Sequence, residues 1–259
     1  MAANNRTPMI AGNWKMHMTA KEAADLAAAM RKGLDPDLKH EVLLAPTFTA
    51  LHAVNAVLGG SKIFLSSQDV CWEEKGAFTG AVSPSQIKDA GCTHAIIGHS
   101  ERRKVFLETD EVINKKMKAA IKAGLVPVLC IGETLEERES QKTYRVLETQ
   151  LNGAFAGITA AEANRVVIAY EPVWAIGTGK TATPDQAQDA HVFVRKQMER
   201  IYGKGYADAV RILYGGSVKA DNIDELMAQA DIDGALVGGE SLKADKFLRV
   251  IHFQAVLSK

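Results

Sequence analysis

The chain has 259 residues, 47% of them hydrophobic, enough to bury a sizeable core as one large α/β barrel or as two ordinary domains. Its 31 basic and 31 acidic residues cancel, which gives no reason to expect nucleic-acid or membrane partners and leaves any anion to be bound locally. Cys71, Cys92 and Cys130 are too few and too widely spaced for a paired disulfide framework or a zinc site, residues 1–8 lack an apolar signal core, and no membrane-length apolar run occurs, so a reducing, cytoplasmic setting is expected.

Taken in order, eight short apolar runs recur, at residues 9–11, 42–45, 63–65, 95–97, 126–131, 166–169, 212–214 and 235–237. They are continuous rather than alternating, the pattern of strands covered on both faces in a parallel sheet. Pro127 lacks a backbone donor and is expected at the first residue of its strand. Between the runs, Thr19/Glu22, Ser83/Gln86, Thr134/Glu137, Thr159/Glu162 and Thr183/Gln186 have the spacing of helix capping boxes, and Pro84 and Pro184 stand where a helix loses no donor. Apolar stripes of helical period (Ala23, Leu26, Ala27, Met30, then Ile113, Met117, Ala120, Ile121) stop at Gly33 and Gly124. Eight strand-helix units in alternation, with no linker of distinct composition, predict a single (β/α)8 barrel domain over residues 1–259.

Such a barrel assembles its site at the carboxyl ends of its strands. The residues there are Asn13-Trp14-Lys15 after the first strand, Gly98-His99-Ser100-Glu101-Arg102-Arg103 after the fourth, Glu171 after the sixth, Gly215-Gly216-Ser217 after the seventh and Gly238-Gly239 after the eighth. Each has an ordinary structural reading: Lys15 as a surface lysine, His99 as a satisfied core histidine, the glycine pairs as turns, Glu171 as a solvated strand end. Together they place a carboxylate, an imidazole, an ammonium and bare backbone N–H groups on one mouth. That set suits a phosphorylated ligand and proton abstraction next to a carbonyl whose oxygen becomes negative. Pro172 biases Glu171 toward extended geometry, and the ten residues after Pro172 combine Trp174 with Gly177 and Gly179, the composition of a closing lid. Gly179-Lys180-Thr181 is not a phosphate-binding P-loop, because the required earlier glycine position holds Trp174.

On Asn13-Trp14-Lys15, Ile97 through Arg103, Ala169 through Lys180 and Tyr214-Gly215-Gly216-Ser217, the chain resembles the triosephosphate isomerase family nearly end to end. The resemblance implies interconversion of dihydroxyacetone phosphate and glyceraldehyde 3-phosphate, in glycolysis and gluconeogenesis, without cofactor or metal. By the same resemblance Glu171 moves the proton, and His99 polarises the carbonyl as a neutral imidazole. That its pKa is lowered by a helix N-terminus is a property known for the family, not one read from these residues. Lys15 offsets phosphate and enediolate charge, Asn13 orients the substrate, and Ser100 and Cys130 support the site. Glu101 ties the lysine into a network or serves as a structural ion pair. The phosphate is expected on backbone N–H groups of Gly177, Ser217, Gly238 and Gly239. A homodimer is implied, with the loop before residues 76–80 inserted into its neighbour and Thr79 near the neighbour's Asn13. Two positions depart from the family pattern. Ala81 replaces a glutamate that meets an arginine matching Arg102, and Glu240 replaces a small neutral residue. A Schiff-base aldolase acting through Lys15 is the rival among phosphate-binding barrels, and it leaves Glu171 and the lid unexplained. A barrel kept only as a scaffold is the rival outside enzymes, and it leaves the full set of matched residues unexplained.

Overall fold

A computed structural model of the chain describes residues 6–176 and 181–254. Eight strands, β1 (Met9–Asn13), β2 (Glu41–Ala45), β3 (Ile63–Ser67), β4 (His94–Ile97), β5 (Val126–Ile131), β6 (Val167–Tyr170), β7 (Arg211–Tyr214) and β8 (Gly234–Val237), close into a barrel in chain order. All pairings are parallel, and β1 against β8 completes the ring.

The runs are apolar throughout because both faces of each strand are covered. Met9, Ala11, Leu43, Ala45, Ile96, Val128, Cys130, Val167, Ala169, Leu213 and Leu236 belong to a buried cluster made only of strand residues, the filling of the barrel. Their neighbours in the chain, such as Ile10, Leu44, Leu129, Ile168 and Ile212, join the cluster that includes helix residues Ala27, Met30, Met117 and Val194. Burying one such side chain contributes roughly 1.5–3 kcal/mol, more than the ~1 kcal/mol of a helix cap. Packing therefore holds the helices, and the caps decide where they start. All five expected capping boxes form, at Ala20–Gly33, Pro84–Asp89, Leu135–Glu139, Ala160–Ala163 and Pro184–Tyr202, the second and fifth of these with proline in the first turn. Helix Asp110–Lys122 ends as its Gly124 suggested: that residue has φ of 77°, and Leu125 N–H reaches back to Ala120 O at 2.9 Å.

Most strands extend one or two residues beyond the apolar runs, and two boundaries depart in ways that the pairing explains. Pro127 is the second residue of β5, not the first. Val126 N–H bonds to Thr93 O on the β4 side, so the donor that proline lacks would face β6, where pairing begins only at Val128 opposite Val167. β6 is displaced by one residue, because Val166 N–H bonds to Ala163 O while Tyr170 pairs with Ile131 and Tyr214. That shift puts Glu171 immediately after the last strand residue.

The three cysteines are free and buried. No helix among the described residues is long and apolar enough to cross a membrane. His191, on helix Pro184–Tyr202, is fully buried between the rings of Tyr170 and Tyr214. Its Nδ1 meets Asp231 O at 3.1 Å, and its Nε2 has no hydrogen-bond partner among the described residues. Burial pushes its pKa down to about 4. The folded state therefore takes up this proton less readily than the unfolded chain. The stabilisation is fully present above about pH 6.5 and is lost as the pH falls toward 4. Urea unfolding at pH 7, 6 and 5 is expected to show stability falling with pH. In His191→Gln, the fall in stability between pH 6 and 5 should be smaller by roughly 1 kcal/mol.

Candidate active site

The carboxyl ends of the strands open into a cavity of about 390 Å³ whose wall includes Asn13, Lys15, His99, Glu171, Ser217, Gly238 and Gly239. The residues read from five separate strand ends therefore meet in one place.

Glu171 is 2% exposed. Its Oε1 lies 3.0 Å from His99 Nε2, and its Oε2 accepts the Ser100 backbone N–H at 2.9 Å. Burial drives the carboxyl pKa up. The His99 imidazole and its hydrogen bond, the Ser100 N–H and Lys15 together outweigh burial and hold the group below the usual carboxylate range. Ser100 thus acts on Glu171 through its main chain.

His99 is also buried, and it caps helix Ser100–Val105, where its Nδ1 accepts Glu101 N–H at 3.2 Å. A ring that accepts at Nδ1 and meets a carboxylate at Nε2 is satisfied as the neutral Nε2–H tautomer. Burial lowers its pKa, but the Glu171 charge and hydrogen bond and the charge of Glu101 raise it further than burial lowers it, so the net shift is upward. The lowered value expected from the family is not what this arrangement gives. The cause is the carboxylate 3.0 Å away.

Lys15 follows β1 with φ of 50°, a left-handed conformation that costs a non-glycine residue free energy. Its N–H bonds to Asn13 Oδ1 at 3.0 Å. Gln68 Nε2 donates to Lys15 O and to Ala45 O, each at 2.8 Å. These bonds over-determine the strained turn and aim Nζ at Glu101 Oε1, 2.5 Å away. Glu101 Oε2 lies 3.6 Å from His99 Nδ1, so Glu101 stands beside both Lys15 and His99.

Gly238 opens a 3-10 turn over Gly239–Leu242, and Ser241 ties that turn down through its N–H and Oγ to Gly238 O, at 2.9 and 2.6 Å. A Cβ on Gly239 would meet nothing within 4 Å, so the space in front of it is open to a ligand. Glu240 borders the cavity, yet its Oε1 is engaged by Lys246 Nζ at 3.2 Å. Cys130 is buried beneath Glu171, and burial and the nearby carboxylate push its thiol pKa well up, which keeps it protonated. Thr79 is exposed and does not border the cavity of its own chain. Gly177 lies outside the described residues. Among the described residues no group of three or more His, Cys, Asp or Glu side chains could hold a metal ion.

Arg102 is not left without a partner by Ala81. Its Nη2 meets Asp69 at 3.0 Å and its Nε meets Glu108 at 2.6 Å, and its guanidinium lies over the Phe106 ring. Lys116 bridges the same two carboxylates, so the arginine is satisfied within its own chain.

Several residues of the site were not singled out from sequence. Ile176, Leu236, His17 and Lys219 border the cavity. Glu133, fully buried, accepts Trp174 Nε1–H at 2.9 Å, Tyr170 Oη–H at 3.1 Å and Arg138 at 3.2 Å, and Arg138 also lies over the Trp174 ring. This fixes the start of the segment after Glu171. Glu133 was detectable in principle, as an acidic residue just past the β5 run. Gln68 and Gln150 carry no sequence signal, because their roles come from backbone groups distant in the chain.

The family model described as Triosephosphate isomerase matches residues 8–254. The chain is 54% identical to the triosephosphate isomerase of Pelobacter propionicus over 249 residues, covering 96% of this chain and 99% of that protein. It is 54% identical to that of Geobacter metallireducens over 250 residues, covering 96% and 100%. It is 55% identical to that of Trichlorobacter lovleyi over 250 residues, covering 96% and 99%. A match of this extent over a closed eight-stranded parallel barrel, with the buried carboxylate, imidazole and ammonium at its mouth, establishes that the chain belongs to the triosephosphate isomerase family.

Proposed function

We propose that the chain's reaction, the interconversion of dihydroxyacetone phosphate and D-glyceraldehyde 3-phosphate, is carried out by Glu171 as base and His99 as electrophile. The observation that carries this assignment is the buried Glu171 carboxylate 3.0 Å from His99 Nε2, with its other oxygen on the Ser100 N–H and with His99 Nδ1 occupied by the Glu101 N–H, so that Nε2 is the ring atom left to face a ligand. A ketose substrate between the two presents a C–H to Glu171 and its carbonyl oxygen to His99 Nε2–H. Glu171 takes the proton, the C–H electron pair becomes the C=C bond of an enediolate, and the carbonyl pair moves onto oxygen. His99 Nε2–H stabilises that oxygen and passes protons between the two enediolate oxygens. The Glu171 carboxylic acid then returns its proton to the neighbouring carbon, which regenerates the carboxylate and gives the aldose. Positioning and charge stabilisation supply the rate. Lys15 offsets the negative charge, Asn13 keeps the Lys15 turn in register, and the backbone N–H groups of Ser217, Gly238 and Gly239, with Gly177, receive the phosphate. Lys15 Nζ is engaged by Glu101, which suits this electrostatic role better than that of a free amine nucleophile.

The single-barrel domain, the homodimer and a cytoplasmic location belong to the same reading. Large apolar side chains stand exposed at Met16, Phe78, Val105, Phe106 and Leu107, which supports an apolar face covered by a second copy with Thr79 beside the partner's Asn13.

Three measurements test the reading. Glu171→Asp retracts the base by about 1 Å and should lower kcat by on the order of 10²-fold or more with the fold intact, whereas an unchanged rate removes Glu171 from the chemistry. Because Lys246 engages Glu240, Glu240→Ala is expected to change the Kd of a phosphate-bearing inhibitor by less than tenfold in calorimetric titration, and a larger gain would place that carboxylate against the phosphate. Because Arg102 already has Asp69 and Glu108, sedimentation over a dilution series should find Ala81→Glu dissociating within about fivefold of the parent, since an arginine partly exposed and already paired gains little from another carboxylate.

A further inference from the structure

The segment that presents Glu171 is held from behind by a side chain with no assigned role. Past the end of β5, Ile131 O accepts Glu171 N–H at 2.7 Å, and two residues later Glu133 O accepts Val173 N–H at 3.0 Å. The β5–β6 ladder thus continues beyond both strands, and Glu171 sits on its rungs. Gly132 lies between those two acceptors and turns its own N–H and C=O the other way, as successive residues of an extended chain do. On that side no strand remains, since the last β4–β5 pair is Ile97 with Leu129.

The carboxamide of Gln150 stands there instead. Gln150 projects from helix Thr143–Ala154; its Oε1 accepts Gly132 N–H at 2.8 Å, and its Nε2 donates to Gly132 O at 3.1 Å. One side chain supplies both hydrogen bonds that a neighbouring strand would have made. Gly132 is also in close contact with the backbone of Glu171, because a Cβ built on it would lie 1.7 Å from Glu171 O. The missing side chain is what lets the two main chains pack directly together, so a shift of the Gly132 peptide is transmitted to the residue that carries the base.

Gly132, Gln150 and Glu171 share a second cavity of about 300 Å³ behind the first, with Ser100 also on its wall. Water in that space could bond to the Gly132 peptide groups if the carboxamide were removed. The loss would then be of rigidity rather than of hydrogen bonding, so the effect should fall on catalysis more than on folding. We infer that Gln150 is a positioning residue for the isomerisation, holding Glu171 in register with the substrate carbon through the Gly132 peptide. The inference rests on Glu171 being the base.

The test is a double-mutant cycle read by steady-state kinetics with glyceraldehyde 3-phosphate, using Gln150→Leu, Glu171→Asp and the two combined, with urea unfolding of each. Gln150→Leu is expected to lower kcat at least tenfold while KM stays within about threefold. In the Glu171→Asp background, where the carboxylate is already retracted, the same change should cost less than threefold, because residues acting as a unit are not additive. Gln150→Met, unbranched, serves the same comparison should Gln150→Leu not fold. A kcat within twofold of the parent, or an equal loss in both backgrounds, overturns the inference and leaves Gln150 as a packing residue. If Glu171→Asp itself keeps the parent rate, the assignment of the base fails, and the inference fails with it.

Discussion

Burying an ionised carboxylate costs several kcal/mol unless opposite charge and hydrogen bonds replace the water it loses, and Glu171 is buried to 2% exposure. The mouth of this barrel is arranged around that requirement. His99 Nε2 faces one carboxylate oxygen, and the Ser100 N–H faces the other. The Lys15 charge adds to the same stabilisation. The same dry surroundings that make the ion costly strengthen every electrostatic interaction it makes. His99 and Glu171 satisfy each other across 3.0 Å.

The architecture makes such a site possible by separating packing from chemistry. The strand residues Ala11, Cys130, Ala169 and Leu213 fill the barrel, and their neighbours in the chain face the helices, leaving polar side chains only past the strand ends. Those ends are then tied across the ring by groups from distant segments. Gln68 grips Lys15 and Ala45, Glu133 collects Tyr170, Trp174 and Arg138, and Gln150 closes off Gly132. Gln68 thereby joins the ends of β1, β2 and β3, Glu133 joins those of β5 and β6, and Gln150 fixes the turn that follows β5.

The fold was legible in the sequence to an unusual degree because local signals agree with the global structure. The eight continuous apolar runs became the eight strands, since a parallel barrel requires apolar residues on both faces of each. The five Thr or Ser capping residues sat where helices start, since capping needs only residues three apart. Pro127 and Val166 were misplaced by one residue because each boundary depends on a partner elsewhere: the late start of the β6 ladder for Pro127, and Ala163 O for Val166.

The sequence by itself determined the strand and helix segments, the strand ends at which Asn13, Lys15, His99, Glu171, Ser217, Gly238 and Gly239 would stand, and the family to which they point. These follow from periodicity, capping and motif, all of which act over short stretches of chain. Tertiary structure decided what no short stretch contains. It placed Glu171 against His99 and thereby turned the expected downward shift of that imidazole upward. It gave Arg102 the distant partner Asp69, beside the nearby Glu108, in place of an interfacial glutamate. It also put Gln68 and Gln150 on backbone groups 18 or more residues away, as in the contact of Gln150 with Gly132. Charge and hydrogen bonding depend on distances in space, and those distances are set only when the barrel closes.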